Sequence, residues 1–227
     1  MNIKSNFLST TPLFKEITET EITKILPCLL GEEKTYEKGE FIYRTGDHIH
    51  SIGILLSGKI SIENDDLWGN KTILNMITPG NVFAESYACI PGEQLMVNIV
   101  SISKSQILYL DMVHLLQTCN NNCSYHNKLI RNLLTISAQK NLNLSRRSFH
   151  TAAKTIRERL LSYLSYEAAI HSSYEFDIPF NRQQLADYLN LNRSALSNEL
   201  SKMSRDGFLT VHHNHFVLAQ NRIEKFE

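Results

Sequence analysis

The sequence predicts an α+β protein, and three successive patterns in its 227 residues indicate this class. Between residues 36 and 110, short apolar runs rich in β-branched residues alternate with turn sequences. From 111 to 147 there is neither proline nor glycine, and apolar residues recur at helical spacing. From 181 to 218, two short helical patterns are followed by a pair of alternating, strand-like segments.

The composition is typical of a soluble globular chain. Hydrophobic residues make up 42% and charged residues 20% of the sequence, and no apolar run approaches the roughly 18 residues that a membrane span needs. The first residues lack the pattern of a secretory signal, so a cytoplasmic location is expected, without membrane contact. Four cysteines are too few for a disulfide framework in a chain of this length and are expected to be reduced thiols.

The formal net charge is zero, but the charges are unevenly distributed. Residues 1–139 carry 11 Lys and Arg against 14 Asp and Glu, whereas residues 140–227 carry 12 against 9. An excess of positive charge in one half favours a polyanionic partner for that half.

The N-terminal part, residues 1–110, is predicted to be a β-roll of the cupin-like or jelly-roll-like kind, preceded by a short helix at Thr18–Leu26. Turn sequences such as "TGD" at 45–47 and "TPG" at 78–80 separate its strands. The regular spacing of short strands favours a small all-β roll. The predicted strands are Phe41–Tyr43, Ile52–Leu56, Lys59–Ile62, Thr72–Met76, Val97–Ile102 and Gln106–Leu110.

Residues 111–147 predict one long helix, or two nearly collinear ones, with a broad apolar stripe. A helix of this length suits pairing with a second copy of itself, so we expect a homodimer joined through it. The alternative is that the stripe packs across the roll, and one helix can do both. The stripe consists of Leu115, Leu116, Leu129, Ile130, Leu133, Leu134, Ile136, Leu142 and Leu144.

Residues 148–227 begin with a helical pattern at about Ala152–Ala169, followed by an extended piece that ends at Pro179. Asn181 with Gln184 three residues later is typical of a capping box at a helix start. That helix is expected to end near Tyr188–Leu189, and Asn192 is a suitable N-cap for the next one. Two helices joined by so short a turn predict a helix-turn-helix.

The second of these helices has two separate faces. At about 100° per residue, its apolar residues lie on one side, and its polar residues lie on the other: Arg193, Ser194, Ser197, Asn198 and Ser201. Arginine can bond guanine and asparagine can bond adenine in the major groove of double-stranded DNA. We therefore expect this helix to read bases, with Arg182 and Lys202 on phosphates. The alternative is a three-helix packing unit without a DNA role.

After Gly207, "FLTVHHNHFVL" alternates like two strands around a turn at 213–214, which predicts a β-hairpin wing. The C-terminal part, 148–227, is thus expected to be a winged helix-turn-helix domain.

Three motifs together resemble the CRP/FNR family of transcription regulators. "KGEFIYRTGDHIHSIGILLSGKISI" at 38–62 is similar to the first half of that family's cyclic-nucleotide-binding-type roll. "PGNVFAES" at 79–86 resembles the Gly-x-x-Phe-Gly-Glu motif that follows, with Ala84 in place of the second glycine. "TIRERLLSYL" at 155–164 resembles the first helix of the family's winged domain. The resemblance implies a homodimer on palindromic operators, with RNA polymerase and a small effector as further partners.

The sequence departs from that family where its cyclic-AMP-binding members hold the phosphate. An Arg-Ser pair follows their motif glutamate by ten and eleven residues, whereas counting from Glu85 gives Leu95 and Met96. Neither can pair with a phosphate, so cyclic AMP is not the expected effector. Either the roll packs apolarly without an effector, or it senses an unidentified small molecule. Such an effector is expected in a pocket formed by Glu85, Tyr87, Leu95, Met96, Ile136 and Lys140.

Two further departures concern cofactors and base preference. Oxygen-sensing members hold an iron–sulfur cluster through clustered N-terminal cysteines, but only Cys28 lies near that end, so no cofactor is expected. Many members begin the second helix with Arg-Glu-x-x-x-Arg. Here the matching positions are Arg193, Ser194 and Asn198, and with no glutamate to accept from cytosine, the family's commonest half-site is not expected.

Two histidine-containing patterns could carry other chemistry. Cys119, Cys123 and His126 would share a helix face and could form a zinc, haem or thiol-redox sensor, although buried cysteines often only pack. His48 and His50 suggest a cupin-like metal motif, but its glutamate is missing, so exposed loop histidines are expected. No other catalytic pattern is present, and the protein is not expected to be an enzyme.

Overall fold

The computed structural model describes residues 5–65, 68, 71–117 and 124–219. Its class is mixed α+β, as the sequence predicts. The chain divides into an N-terminal unit, residues 1–139, and a C-terminal unit, residues 140–227. Within the described ranges, every helix is too short or too polar to cross a membrane.

The N-terminal unit is a roll of two four-stranded antiparallel sheets, with strand orders β1-β8-β3-β6 and β2-β7-β4-β5. Its strands are β1 Glu32–Tyr36, β2 Phe41–Tyr43, β3 Ser51–Ser57, β4 Ile60–Asp65, β5 Lys71–Ile77, β6 Val82–Phe83, β7 Asn98–Ser101 and β8 Ser105–Asp111. Its helices are α1 Ser5–Ser9, a 3₁₀ turn Pro12–Phe14, α2 Glu19–Ile25, α3 Glu85–Ala88 and α4 Met112–Leu116.

All six predicted strands are present. The sequence did not predict β1, because four of its five residues are charged or polar and exposed. It is an edge strand that pairs only with β8, and edge strands commonly carry charges. The two-residue strand β6 was also missed, because it is too short to show a period.

A close approach between β3 and β6 shapes one part of the roll. Gly53 of β3 lies opposite Phe83 of β6, and a Cβ atom added at Gly53 would overlap the Phe83 ring. Only glycine fits beneath the aromatic ring without a shift. The interior around this contact is aliphatic and includes Ile52, Ile54, Leu55, Ile60, Ile99 and Leu108.

The long helix expected over 111–147 is interrupted. Helix α4 ends at Leu116, and the next residue, Gln117, has an extended backbone with ψ of 125°. Helix α5 runs from Ser124 to Ala152, past the predicted end at Arg147. No glycine or proline marks the break, so composition could not reveal it. The boundary set at 147/148 therefore falls inside α5, and the next helix starts later than residue 152.

The first part of α5 packs within the N-terminal unit. Leu129 and Leu133 are buried in the core of the roll. Lys128 donates to the carbonyl of Glu16 at 2.8 Å, and Asn132 donates to the carbonyl of Leu13 at 2.9 Å. Further along, large apolar side chains of α5 are exposed: Leu134, Leu142, Leu144 and Phe149.

The C-terminal unit contains α6 Ile156–His171, β9 Glu175–Asp177, α7 Arg182–Tyr188, α8 Arg193–Arg205, β10 Leu209–His212 and β11 His215–Leu218. Helix α6 begins after a capping box between Thr155 and Glu158, four residues later than the sequence predicts. The expected wing hairpin is present as β10 and β11. The extended piece before Pro179 joins it as a third strand, β9, paired with β11.

The end of α5 packs within the C-terminal unit through His150. This side chain is 4% exposed. Its Nδ1 lies 2.9 Å from the Ser162 hydroxyl oxygen, and the rings of three tyrosines surround it: Tyr163, Tyr166 and Tyr188. Because burial disfavours the charged imidazolium, the pKa of His150 is lowered. This end of α5 therefore contributes a nearly buried, titratable side chain to the domain.

Candidate nucleic-acid interface

The turn between α7 and α8 is fixed by short-range hydrogen bonds. Asn181 Oδ1 accepts from the Gln184 amide at 2.9 Å, and Gln184 Oε1 accepts from the Asn181 amide at 2.8 Å, which completes the predicted capping box. Asn192 Oδ1 accepts from the Ser194 amide at 2.9 Å, as expected of the N-cap of α8. Asn190, with φ of 53°, has the left-handed backbone that lets so short a turn close.

Helix α8 has one buried and one exposed face. Leu196, Leu200 and Met203 are at most 2% exposed and pack in the domain core. The structure places the polar set on the other side, with Arg193, Ser194, Asn198, Ser201 and Lys202 exposed and Ser197 half-buried. The face has no acidic side chain among these six positions, and it can donate to base edges and phosphates.

The polar residues of this face differ in what they already bond. The Ser194 hydroxyl bonds Asn192 Oδ1, and the Ser201 hydroxyl donates to the Ser197 carbonyl at 2.9 Å. The side chains of Arg193 and Asn198 make no hydrogen bond within the described residues, so their polar atoms can bond another molecule. The long side chains of Arg193 and Asn198 can reach base edges, and the short serines beside them let the helix lie close to the major groove.

Arg182 is held against the wing. Its Nη2 donates to the His213 carbonyl at 3.0 Å, and its guanidinium lies 5.7 Å from the Phe216 ring centroid. The side chain is half-buried, and burial lowers the pKa of Arg182. Arg182 also lines the groove between α8 and the wing, together with Ser197, Ser201, Ser204 and Arg205. Within the domain, Arg182 therefore bonds the wing turn at His213. The sequence did not indicate this contact.

Two arginines behind the interface, Arg159 and Arg157, were also missed by sequence reasoning. Arg159 Nη1 donates to the carbonyls of Leu189 and Asn190, both at 3.2 Å, and so supports the turn from α6. Arg157 Nε donates to Glu199 Oε1 at 2.6 Å, and its Nη2 donates to Asp206 Oδ2 at 2.9 Å. Hydrogen bonds to the two carboxylates raise the pKa of Arg157. These partners are far apart in sequence, so periodicity gives no sign of them.

Two family profiles match the chain. The cyclic nucleotide-binding domain profile matches residues 33–122, and the Crp-like helix-turn-helix domain profile matches residues 158–224. Both halves of the expected resemblance are therefore found in their expected order. The chain belongs to the CRP/FNR family of transcription regulators.

Relatives support this assignment over most of the chain. The transcriptional activator protein FnrL of Cereibacter sphaeroides is 19% identical over 206 residues, which cover 82% of this chain and 75% of FnrL. Among solved structures, the catabolite activator protein of Thermus thermophilus is similar with a TM-score of 0.51, 19% identity and coverage of 95% and 97%. CprK with bound OCPA has a TM-score of 0.61, 15% identity and coverage of 89% and 92%.

The roll alone has relatives in a different kind of protein. Human cGMP-dependent protein kinase 2 is 30% identical over 97 residues, or 42% of this chain. The match covers only 12% of the kinase. What is shared is therefore one domain of a much longer protein.

In this CRP/FNR regulator, the residues expected around the effector differ in how exposed they are. Leu95 is 2% exposed and belongs to the core of the roll, whereas its neighbour Met96 is 69% exposed. Glu85 is buried, and Tyr87 and Ile136 are half-buried against the same core. Thus Leu95 is a packing residue, and Met96 lies outside the core.

Ala84, which stands where the family motif has glycine, has a left-handed backbone with φ of 64°. The position keeps the backbone that the motif requires but carries a side chain that disfavours it. The chain therefore keeps the left-handed backbone of the family motif at Ala84, and this backbone is strained because the residue carries a Cβ atom.

The alternative metal site can be followed only in part. His126 is 3% exposed, its Nε2 lies 3.3 Å from the His114 carbonyl oxygen, and its Nδ1 has no partner within the described residues. Cys119 and Cys123 lie outside the described residues. His48 and His50 are exposed, as expected. Within the described ranges, no three His, Cys, Asp or Glu side chains are arranged to hold a metal ion.

Proposed function

We propose that this regulator binds as a homodimer to a palindromic operator, with its α8 helices in successive major grooves. The observation that carries the proposal is the exposed face of α8, on which Arg193 and Asn198 have donors free of internal bonds within the described residues. Two-fold symmetric dimers with a reading helix of this kind recognise half-sites about 10 bp apart. A regulator of this kind works where the DNA is, so we also propose a cytoplasmic location.

Selection from a random duplex pool tests the operator. The expected result is a two-fold symmetric motif in which each half-site contains a guanine or adenine contacted by α8. An asymmetric motif, or a motif of a single half-site, would contradict dimeric binding.

The dimer contact is proposed on α5. Leu134, Leu142 and Leu144 are more than half exposed, whereas the other leucines of this helix, Leu129 and Leu133, are buried. Covering a leucine side chain contributes about 1.5–3 kcal/mol, and a second copy of the same helix can cover the exposed three by symmetry.

Sedimentation of a charged variant tests this contact. Leu142→Glu should sediment as a monomer, because it places a carboxylate within the apolar contact. The control is Gln139→Glu, which adds the same charge at an exposed polar position of α5 and should remain dimeric. A dimeric Leu142→Glu protein would refute the contact.

The roll is proposed to sense a small molecule other than cyclic AMP. Leu95 occupies the core where a phosphate-binding arginine would be needed, and an apolar side chain cannot compensate a buried phosphate. Isothermal calorimetry should detect no cyclic AMP binding in the low micromolar range. Binding at that level, lost on mutation of Glu85, would contradict the proposal.

A second candidate is a metal-, haem- or thiol-responsive regulator that uses Cys119, Cys123 and His126. The observation in its favour is the buried His126 Nδ1, which has no partner among the described residues and could serve as a ligand. Metal analysis and an absorption spectrum of the purified protein distinguish the candidates. Stoichiometric metal that is lost in His126→Gln favours this second function.

RNA polymerase is proposed as the remaining partner, because a regulator bound beside a promoter meets the enzyme there. Transcription in vitro from the selected operator, with and without the protein, tests this. An unchanged transcript level with occupied operator, both with and without candidate effectors, would argue against it.

A further inference from the structure

A single arginine of α6 holds α8 at two places. Arg157 Nε donates to Glu199 Oε1 at 2.6 Å, and Arg157 Nη2 donates to Asp206 Oδ2 at 2.9 Å. Glu199 and Asp206 are seven residues apart, which is two helical turns, so both lie along the same edge of the helix. One rigid guanidinium therefore contacts α8 at its middle and at its C-cap.

The Arg157–Glu199 pair is better shielded than an ordinary surface pair, whereas the Asp206 side chain of the second pair is 47% exposed. The Glu199 side chain is 16% exposed and the Arg157 side chain 34% exposed, so water competes less for their bond than on an open surface. The planar guanidinium fixes the directions of both donors. The Phe208 ring, with its centroid 5.5 Å from Arg157 Cζ, limits where the guanidinium can move.

The apolar contacts on the buried face of α8 do not fix the rotation of the helix about its axis in the same way. Leu196, Leu200 and Met203 hold the helix on the domain through apolar contacts, and such contacts are not directional. Hydrogen bonds weaken steeply when their angle changes. A rotation of α8 by about 20° would move side-chain positions on its surface by roughly 2 Å, which exceeds the precision that a recognition site needs.

We infer that Arg157 is a specificity-determining positioning residue: through Glu199 and Asp206 it sets the rotation of α8, and thereby which base edges Arg193 and Asn198 meet. The inference rests on the proposed reading role of α8. Arg157 itself bonds α8 from α6 and is not one of the residues on the exposed face proposed to read bases. Its loss should therefore impair discrimination between sequences while leaving general attraction to phosphates in place.

The test compares affinity for the selected operator with affinity for a scrambled duplex of equal length, at one salt concentration. In Arg157→Met, we expect the ratio of the two affinities to fall about tenfold, a size typical of coupled contacting residues. The scrambled duplex should be bound within about twofold of wild type. Arg157→Lys should recover only part of the ratio, because a lysine cannot bond both carboxylates in the same fixed geometry.

Lys154→Met is the matched control, since Lys154 is an exposed cation of the same segment. It should change the affinity for both duplexes by the same factor. Melting temperatures of all variants identify any loss of folding. If Arg157→Met does not fold, Glu199→Leu replaces it, because leucine is of similar size and removes the acceptor of Arg157 Nε.

An unchanged affinity ratio in folded Arg157→Met or Glu199→Leu would overturn the inference while leaving the proposed function intact. Equal weakening on both duplexes would also overturn it, because that result indicates a general loss of structure. If the wild-type protein itself shows no preference between the duplexes, the proposed function fails and the inference fails with it.

Discussion

The two units of this regulator depart from their family in different physical environments. In the N-terminal unit, the departure at Leu95 lies in the core of the roll, with 2% of the residue exposed. In the C-terminal unit, the departures at Ser194 and Asn198 lie on the exposed face of α8. A core residue is constrained by packing and a surface residue is not. The sensor chemistry is therefore coupled to stability, whereas the reading chemistry can change almost independently of it.

The largest expected effect comes from placing an arginine in the sensor core. Leu95→Arg should lower the free energy of unfolding by about 3–5 kcal/mol, because it buries a charge without a partner. Met96→Ser should change it by less than about 0.5 kcal/mol, since Met96 is exposed. Urea denaturation measures both variants. If the double variant Leu95→Arg, Met96→Ser were stable and bound cyclic AMP, the departure in the core would be no more constrained by stability than the departures on α8.

The second effect concerns the reading face. Arg193→Ala should weaken operator binding by about 1–3 kcal/mol and relax the preference at one position per half-site. Lys202→Ala is the comparison, because it should weaken all sequences alike and lower the magnitude of the salt slope by about one per phosphate contact. Binding to operator and scrambled duplexes at two salt concentrations separates the two. Equal weakening of both duplexes by Arg193→Ala would refute its reading role.

A third prediction uses pH. Because burial lowers the pKa of His150 in the folded state, the unfolded chain takes up the proton first as the pH falls through about 6.5. Stability should therefore decrease from about pH 7.5 downward until the folded-state pKa is reached, with a slope of at most about 1.4 kcal/mol per pH unit for one proton. The tyrosines around His150 themselves face charged groups: Arg146 lies against the Tyr166 ring, Arg147 donates to the Tyr188 carbonyl, and Glu167 interacts with Tyr163.

Chemical denaturation at several pH values measures this dependence. His150→Gln should be less sensitive to acid than wild type, whereas His212→Gln, which alters an exposed histidine of the wing, should follow the wild-type curve. Parallel curves for wild type and His150→Gln would show that His150 does not couple the domain to pH.

The smallest effect is expected at Ala84. Ala84→Gly should stabilise the protein by up to about 1 kcal/mol, because glycine adopts a left-handed backbone without the cost that a Cβ brings. Ala88→Gly, in the same short helix but with an ordinary helical backbone, should destabilise it by a similar amount. Thermal unfolding measures both changes. Destabilisation by Ala84→Gly would mean that the alanine methyl group contributes more through packing than its backbone costs.

Features formed by residues close together in the sequence could be predicted, whereas contacts between residues far apart in the sequence could not. The caps at Asn181 and Asn192 are local, and both were predicted at the correct residue. Strand β1 was missed because its charged and polar residues do not show the apolar alternation by which strands are recognised in a sequence. For residues 111–147 the sequence left open one long helix or two nearly collinear ones, and the end of α4 at Leu116 was not located because the segment contains no helix-breaking residue.

The side-chain contacts that support α8 could not be predicted from the sequence. Arg157 reaches partners 42 and 49 residues away, and only the folded chain brings them together. The same holds for Arg182, whose carbonyl partner lies 31 residues away in the wing turn. Sequence patterns thus located the surface proposed to meet DNA, whereas the residues that orient this surface required three-dimensional contacts.

The contact between Gly53 and Phe83 has a consequence for how this sequence can evolve. Any side chain at position 53 would overlap the ring at position 83, so a single substitution of Gly53 is strongly selected against while the phenylalanine is present. The reverse order of change is open, because a smaller residue at 83 first creates the space. In descendants of this chain, non-glycine residues at 53 should therefore appear only on lineages that have already lost the aromatic ring at 83.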